Sequence, residues 1–185
     1  MSLVWLIRHG ASTMPSGIAI GFTDPPLSEA GRAQAHRVAV QLEGRPLARI
    51  ISSDLRRALD TARVVAAPHR VEVETTPALR EIHFGAWEGR SLSDLWIDEP
   101  GMAAAWEQDV RATPPSFGEG LVEVEKRVAR FWESMQPLPQ AAGVAIVAHG
   151  GSLAALRSLI TALPIGECLS MRLDPGGVLE VDAGS

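Results

Sequence analysis

The chain has 185 residues, enough for one domain carrying an inserted lobe, and 46% hydrophobic against 21% charged residues suits a globular protein with a sizeable core. A formal net charge of −5 argues against nucleic acid as the main partner, because surfaces that hold phosphate backbones are strongly basic. Cys168 is the one cysteine, which excludes an intramolecular disulfide and a cysteine-based zinc cluster and predicts a buried, inert thiol.

In chain order, Leu3–Ile7 is apolar throughout, as in a strand covered on both faces. It is too short for a membrane span or a signal-peptide core, and no other stretch approaches one, so the expected location is the cytoplasm. Ser28 is placed to cap a helix from Glu29 to about Leu42, with Ala35, Val38 and Leu42 on one face. A second short strand is predicted at 48–53 (ARIISS). A helix follows over 54–67, with Asp54 near its N-terminus. RVEVETT (70–76) alternates like a strand. GVAIVAHGG (143–151) repeats the opening pattern of apolar run, histidine and glycine, and a helix follows over 152–163. CLSMRLD and VLEVD, separated by PGG, predict a closing hairpin.

Strands and helices alternate, so the predicted fold is α/β: a three-layer sandwich whose largely parallel sheet lies between helices. The stretch from about 76 to 140 shows no clear strand. It has Pro- and Gly-rich joints (DEPG, TPPSFGEG) and a helix predicted from Gly120 to Met135, and is expected to form a helical lobe over the sheet edge within a single domain of residues 1–185.

Ligands of open parallel sheets sit at the carboxyl ends of the strands. Arg8-His9 and His149 fall there, and Arg56 and Arg57 follow the second strand within two turns. Three separated segments thus deliver cations and imidazoles to one region, as a phosphoryl group requires. The cationic side chains are nearly all arginine, with Lys126 the one lysine; arginine suits bidentate phosphate contacts.

Five ordered segments, LIRHGAS, DPPLSEAGRAQA, SSDLRRALDTA, LREIHFGAWEG and VAHGG, resemble the motifs of the histidine phosphatase superfamily, also called phosphoglycerate mutase-like, over nearly the whole chain. The resemblance implies that His9 is a nucleophile attacking phosphorus, that Arg8, Arg57 and His149 hold the phosphoryl oxygens, and that Glu81 protonates the leaving oxygen. Arg57 rather than Arg56 matches the family arginine, because it directly precedes Ala58. Such a nucleophile must be neutral. An isolated imidazole has pKa ≈ 6.5, and neighbouring arginines lower it. A backbone carbonyl on the other ring nitrogen would fix the tautomer, and Gly10 allows the backbone to come close.

The sequence departs from the family pattern at Ala11, where an acidic or amide residue is usual, and at Pro15, where many members place an asparagine on the phosphate. Ser12, or backbone amides near Gly21 and Thr23, are the expected replacements in the phosphate cradle. His36, His69 and His83 are expected to be structural or surface residues. Trp87, Trp96, Trp106 and Trp132 are candidates to line a substrate mouth, against the commoner use of such aromatics as core, and Trp87 and Trp96, flanking the Glu81 segment, have the better claim. No metal or other cofactor is expected, since arginines can stabilise the transferring charge and the histidines lack ligand spacing.

GFTDPPLS, FGAWEG and a GEG followed by a helix with KRVARF are similar to the α-ribazole phosphatases of that family. They imply a small phosphorylated metabolite as partner, with α-ribazole 5′-phosphate as a candidate. The alternatives are mutase-type phosphoryl transfer, whose enzymes are typically longer, and a non-catalytic phosphate-binding regulatory protein.

Overall fold

Apolar side chains alternate across the opening strand and fix its place at the centre of the molecule. In β1 (Leu3–Arg8), Val4 and Leu6 face one apolar layer while Trp5 and Ile7 face the other. The computed structural model describes residues 2–109 and 116–184. After β1 come α1 (Glu29–Gln41), β2 (Leu47–Ser53), α2 (Arg56–Ala66), β3 (Val73–Thr76), α3 (Leu92–Asp98), α4 (Pro100–Gln108), α5 (Leu121–Ser134), β4 (Gly143–Ala148), α6 (Gly150–Thr161), α7 (Ile165–Ser170) and β5 (Val178–Asp182).

The strands form one sheet in the order β3-β2-β4-β1-β5. All neighbours pair in parallel except β5, which runs antiparallel to β1. Val38 of α1, Leu42 at its C-terminal cap, and Ala58, Ala62 and Val65 of α2 cover one face. Val124 and Val128 of α5 and Leu153 and Leu156 of α6 cover the other. This is the predicted three-layer α/β sandwich. Every residue of β4 is buried, as its central position requires. No helix among the described residues is long and apolar enough to cross a membrane.

Ser28 caps α1 as expected, its hydroxyl accepting from the Gly31 amide. The start of α2 differs. Asp54 is drawn off into a two-pronged ion pair with Arg80, and the helix is capped from a distance: the Asp24 carboxylate accepts from the Arg56 amide at 2.7 Å, 32 residues away in the chain.

The helical lobe is divided. α5 joins the layer on the sheet, whereas α3 and α4 gather round a separate small cluster of Ala19, Trp87 and Leu95. DEPG is a helix-to-helix joint there, with Pro100 at the first turn of α4. Of the turn-rich stretch 113–120, residues 113–115 lie outside the described residues.

The closing hairpin is corrected. CLSMRLD is not a strand: residues 165–170 form α7, which buries Cys168 and packs on α6, and VLEVD alone enters the sheet as β5 against β1. The alternation of Leu169, Met171 and Leu173 imitates a strand, but Pro164 starts a helical turn, and β5 already fills the free side of β1.

Candidate active site

Because β1, β2 and β4 run parallel, their carboxyl ends lie on one edge of the sheet, carrying Arg8-His9, Ser52-Ser53 and His149. The chain leaves β1 through a tight contact with α1. A Cβ on Gly10 would stand 2.3 Å from the Gly31 carbonyl oxygen, and one on Gly31 would stand 2.0 Å from that of Ala11. Glycine at both positions lets the two backbones touch. The exit is then locked: the Gly10 amide donates to the Thr61 hydroxyl, the Ala11 amide to the Gln34 side chain, and the Ser28 hydroxyl to the Ala11 carbonyl.

His9 therefore holds a fixed ring. Its Nδ1 lies 2.7 Å from the Gly10 carbonyl oxygen, which can only accept, so Nδ1 carries the proton. Nε2 keeps its lone pair, and the Arg57 Nε–H donates to it at 3.3 Å. Burial first, then the Arg57 charge, hold the imidazole far below its ordinary range, at about 3, against the opposing pull of the Gly10 carbonyl. The His149 ring stands 4.8 Å away, centroid to centroid, with its Nε2 on the Ser53 hydroxyl at 3.0 Å. It too is held well below the usual histidine range, by burial and then by Arg57.

Arg57 is 1% exposed. Nη1 donates to the Thr23 carbonyl and Nη2 to the Gly21 carbonyl, each at 2.8 Å, leaving one N–H on each for a ligand. Arg56 turns away; its side chain is 63% exposed and pairs loosely with Asp60. Arg8 donates from Nη1 to the Leu173 carbonyl at 2.7 Å. Two buried nitrogens here, Arg8 Nε and His149 Nδ1, have no hydrogen-bond partner among the described residues. Buried polar atoms are rarely left so, and an anion beside His9 is the natural partner for both.

Glu81 reaches the same place from the lobe side. Its Oε1 accepts from the Gly151 amide at 3.0 Å and from the Ile82 amide at 2.9 Å. Flanking arginines fix the segment. Arg80 is tied to Asp54, and Arg127, paired with Glu119, donates to the Ala78 and Glu81 carbonyls. Arg127 escaped sequence reasoning, as did Arg172. The latter donates from Nε to the Leu169 carbonyl, and its Cδ comes within 3.2 Å of where a Gly150 Cβ would stand, close to Arg8 and Glu81. The false strand over 168–174 concealed it.

The proposed cradle replacements need correction. The amides of Gly21 and Thr23 are already spent on the Glu88 carboxylate, at 3.2 and 2.9 Å, so these residues enter the site through their carbonyls on Arg57, not as anion donors. Ser12 accepts weakly from the Met14 amide and bridges to Leu27, and Pro15 is exposed. His36 is exposed, and the His83 ring packs at a tilt against Phe22, 4.6 Å between centroids.

Beside Glu81 and Gly151 opens a cleft of about 430 Å³, walled chiefly by Phe84, Trp87, Leu95, Trp96 and Trp106, with Arg172 at its edge. Trp106 lines this cleft and also packs, like Trp132, on the main core. Among the described residues, no group of three or more His, Cys, Asp or Glu is arranged to hold a metal ion.

Residues 4–185 match the model of the histidine phosphatase superfamily (branch 1). The chain belongs to that superfamily. It is 32% identical to the adenosylcobalamin/alpha-ribazole phosphatase of Salmonella typhimurium over 94% of this chain and 86% of that one. It is 31% identical to a probable phosphoglycerate mutase of Yersinia pestis over 98% of this chain and 85% of that one. A mycobacterial glucosyl-3-phosphoglycerate phosphatase, solved in complex with VO3, superposes with a TM-score of 0.87 at 32% identity, covering 98% of this chain and 93% of that one. This histidine phosphatase is accordingly an enzyme, of the phosphatase or mutase type.

Proposed function

We propose that this histidine phosphatase is a cytoplasmic, metal-independent phosphomonoesterase, a single domain acting on a small metabolite through a phosphohistidine. The observation that carries the reading is the His9 ring, neutral, with its proton fixed on Nδ1 and its lone pair on Nε2. Nε2 attacks phosphorus, the ester P–O bond breaks, and Glu81 gives its proton to the leaving oxygen. The Arg57 N–H groups left over from the Gly21 and Thr23 carbonyls, Arg8 Nε and His149 Nδ1 carry the oxygens. Water then attacks phosphorus and loses its proton to the Glu81 carboxylate. The N–P bond breaks, its electrons return to His9, and phosphate leaves.

The cleft supports an aromatic leaving group, which favours α-ribazole 5′-phosphate, a ribose phosphate bearing a planar base, as the substrate. A mutase has to retain a bisphosphorylated intermediate, and among the described residues Arg172 is the single cation lining this cleft. In a screen with EDTA present, α-ribazole 5′-phosphate should be hydrolysed faster than sugar phosphates, 3-phosphoglycerate or phosphohistidine peptides. Activity lost on chelation and restored by a divalent ion would overturn the metal-free mechanism. Preferential turnover of 3-phosphoglycerate to its isomer would favour the mutase.

Arg57→Ala should lower kcat/KM by ~10²–10³, the usual loss when a donor to transition-state charge is removed. Arg56→Ala should cost less than about fivefold, since an exposed ion pair contributes at most ~1 kcal/mol. Steady-state kinetics on one substrate compares the two; equal losses would overturn the role given to Arg57.

A further inference from the structure

Glu88 takes no part in the mechanism above, yet its carboxylate is among the most heavily bonded groups in the molecule. Oε2 accepts from the Gly21 amide at 3.2 Å, the Thr23 amide at 2.9 Å and the Thr23 hydroxyl at 2.5 Å. Oε1 accepts from the Phe22 amide at 2.8 Å and the Phe84 amide at 3.0 Å. The same residues, Gly21 and Thr23, turn their carbonyls to the two terminal nitrogens of Arg57. The segment is thus held by its N–H groups on one side and holds Arg57 by its C=O groups on the other.

The contact leaves no slack. A Cβ on Gly21 would stand 2.0 Å from the Ile82 carbonyl oxygen and 2.4 Å from Glu88 Oε1. Phe22, between the two clamped residues, is itself gripped, with the Arg80 guanidinium 5.0 Å over its ring and His83 against it. What remains adjustable is the direction in which the two carbonyls point, and the Glu88 carboxylate sets it.

We propose that Glu88 is the positioning residue for Arg57: by clamping the Gly21–Thr23 amides it fixes the two carbonyls that aim the guanidinium at His9 Nε2 and at the phosphoryl oxygens. Burial pushes the Glu88 carboxyl up, but the Thr23 hydroxyl and the Thr23, Phe22 and Phe84 amides outweigh it and keep the group below the ordinary glutamate range. The clamp is therefore ionised at neutral pH, and hydrogen bonds to a charged acceptor are the strong kind. Arg57 uses Nε, Nη1 and Nη2 on three separate acceptors, so a shift of either carbonyl rotates the whole planar fork. The inference rests on the phosphatase reading for the identity of the Arg57 ligand.

Glu88→Gln keeps the size of the side chain but removes the charge and turns one acceptor into a donor facing amide N–H groups. Two measurements separate aiming from mere support. The first is the Arg57 Nε–H signal in ¹⁵N spectra, protected from solvent exchange by its bond to His9. In Glu88→Gln its exchange should accelerate by about tenfold or more, the loss of roughly one hydrogen bond. The second is the affinity for inorganic phosphate by calorimetry, expected to fall by about tenfold in the variant. In an Arg57→Ala background, Glu88→Gln should change that affinity by less than about twofold, because a residue acting through another has nothing left to act on. Thr23→Val, which deletes the hydroxyl bond alone, should move both readouts in the same direction and by less, and it carries the test if Glu88→Gln does not fold. Unchanged Arg57 exchange, or losses that add in the double variant, would overturn the proposal. Failure of the parent to bind phosphate would instead overturn the phosphatase reading, while Arg57 exchange still reports on the clamp.

Discussion

His9→Ala should abolish turnover, by at least ~10⁴-fold, given that deleting a nucleophile from a comparable catalytic unit costs about 10⁶. The side chain lies just beyond β1, among the described residues bonded only to its own neighbour's carbonyl and to Arg57, and it keeps part of its surface open. Truncation therefore removes chemistry without emptying the core. Rapid quench with labelled substrate should trap an acid-labile, base-stable phosphoenzyme in the parent only. A labelled intermediate that persisted in His9→Ala would move the nucleophile elsewhere.

The same substitution should change how stability depends on pH. In the unfolded chain His9 takes up a proton near its ordinary pKa of about 6.5. In the folded protein it resists until about 3. Between those values the unfolded state binds more protons, so stability rises with pH and is lost as pH falls below 6.5 towards 3. His149 acts in the same direction. Each imidazole contributes a slope of at most ~1.4 kcal/mol per pH unit. Urea denaturation at pH 7, 6 and 5 should show a shallower acid loss in His9→Ala than in the parent. Identical slopes would mean that His9 is not held neutral by the fold.

How much of this was legible beforehand depended on how far each residue reaches along the chain. The apolar runs of β1 and β4 carry their own signal, since a strand buried on both faces needs no partner to be recognised. The strand ends followed, and with them the meeting of His9, His149 and Arg57. The capping of α1 by Ser28 is local and legible for the same reason. Asp24 capping α2 is not: the helix gives no hint that its first amide is satisfied 32 residues upstream. Glu88 is hidden likewise, because its acceptors' partners lie about 65 residues away in a loop with no periodicity. The amides of Gly21 and Thr23 looked free because that carboxylate was out of view. The short apolar alternation at 168–174 fits a strand or a helical turn equally well; only the filled edge of the sheet decides between them, and Arg172 was misplaced with it.

Glu81→Gln should slow the first chemical step selectively for poor leaving groups. An alkyl phosphate expels a strongly basic alkoxide, which needs a proton as the P–O bond breaks, whereas a nitrophenolate departs with little help. General acid catalysis is typically worth ~10²–10⁴-fold, so most of that factor should vanish for alkyl esters and little of it for nitrophenyl phosphate. The geometry makes glutamine a clean probe. Oε1 of Glu81 accepts from both the Ile82 and Gly151 amides, and a glutamine carbonyl oxygen in that position keeps both bonds. The amide nitrogen then takes the place of Oε2 and gives up only the longer half of a shared bond, since the Gly151 N–H at 3.2 Å from Oε2 still donates to Oε1 at 3.0 Å. Arg127 holds the Glu81 carbonyl and Arg80 holds Asp54 whichever side chain is present, so the segment stays where it is. Phosphate affinity should accordingly change little. If Glu81 also takes the proton from water, release of phosphate from His9 slows for every substrate, and the steady state then hides the leaving-group effect. A slow second step shows as a stoichiometric burst, so the quantity to compare is the first-turnover rate for an alkyl and an aryl phosphate in both proteins. Equal fractional losses in that step would show that Glu81 is not the acid. The next carboxylate of the lobe, Glu119, is committed to Arg127 and to the His83 amide, so a substitute would have to break a pair that anchors the Glu81 segment itself.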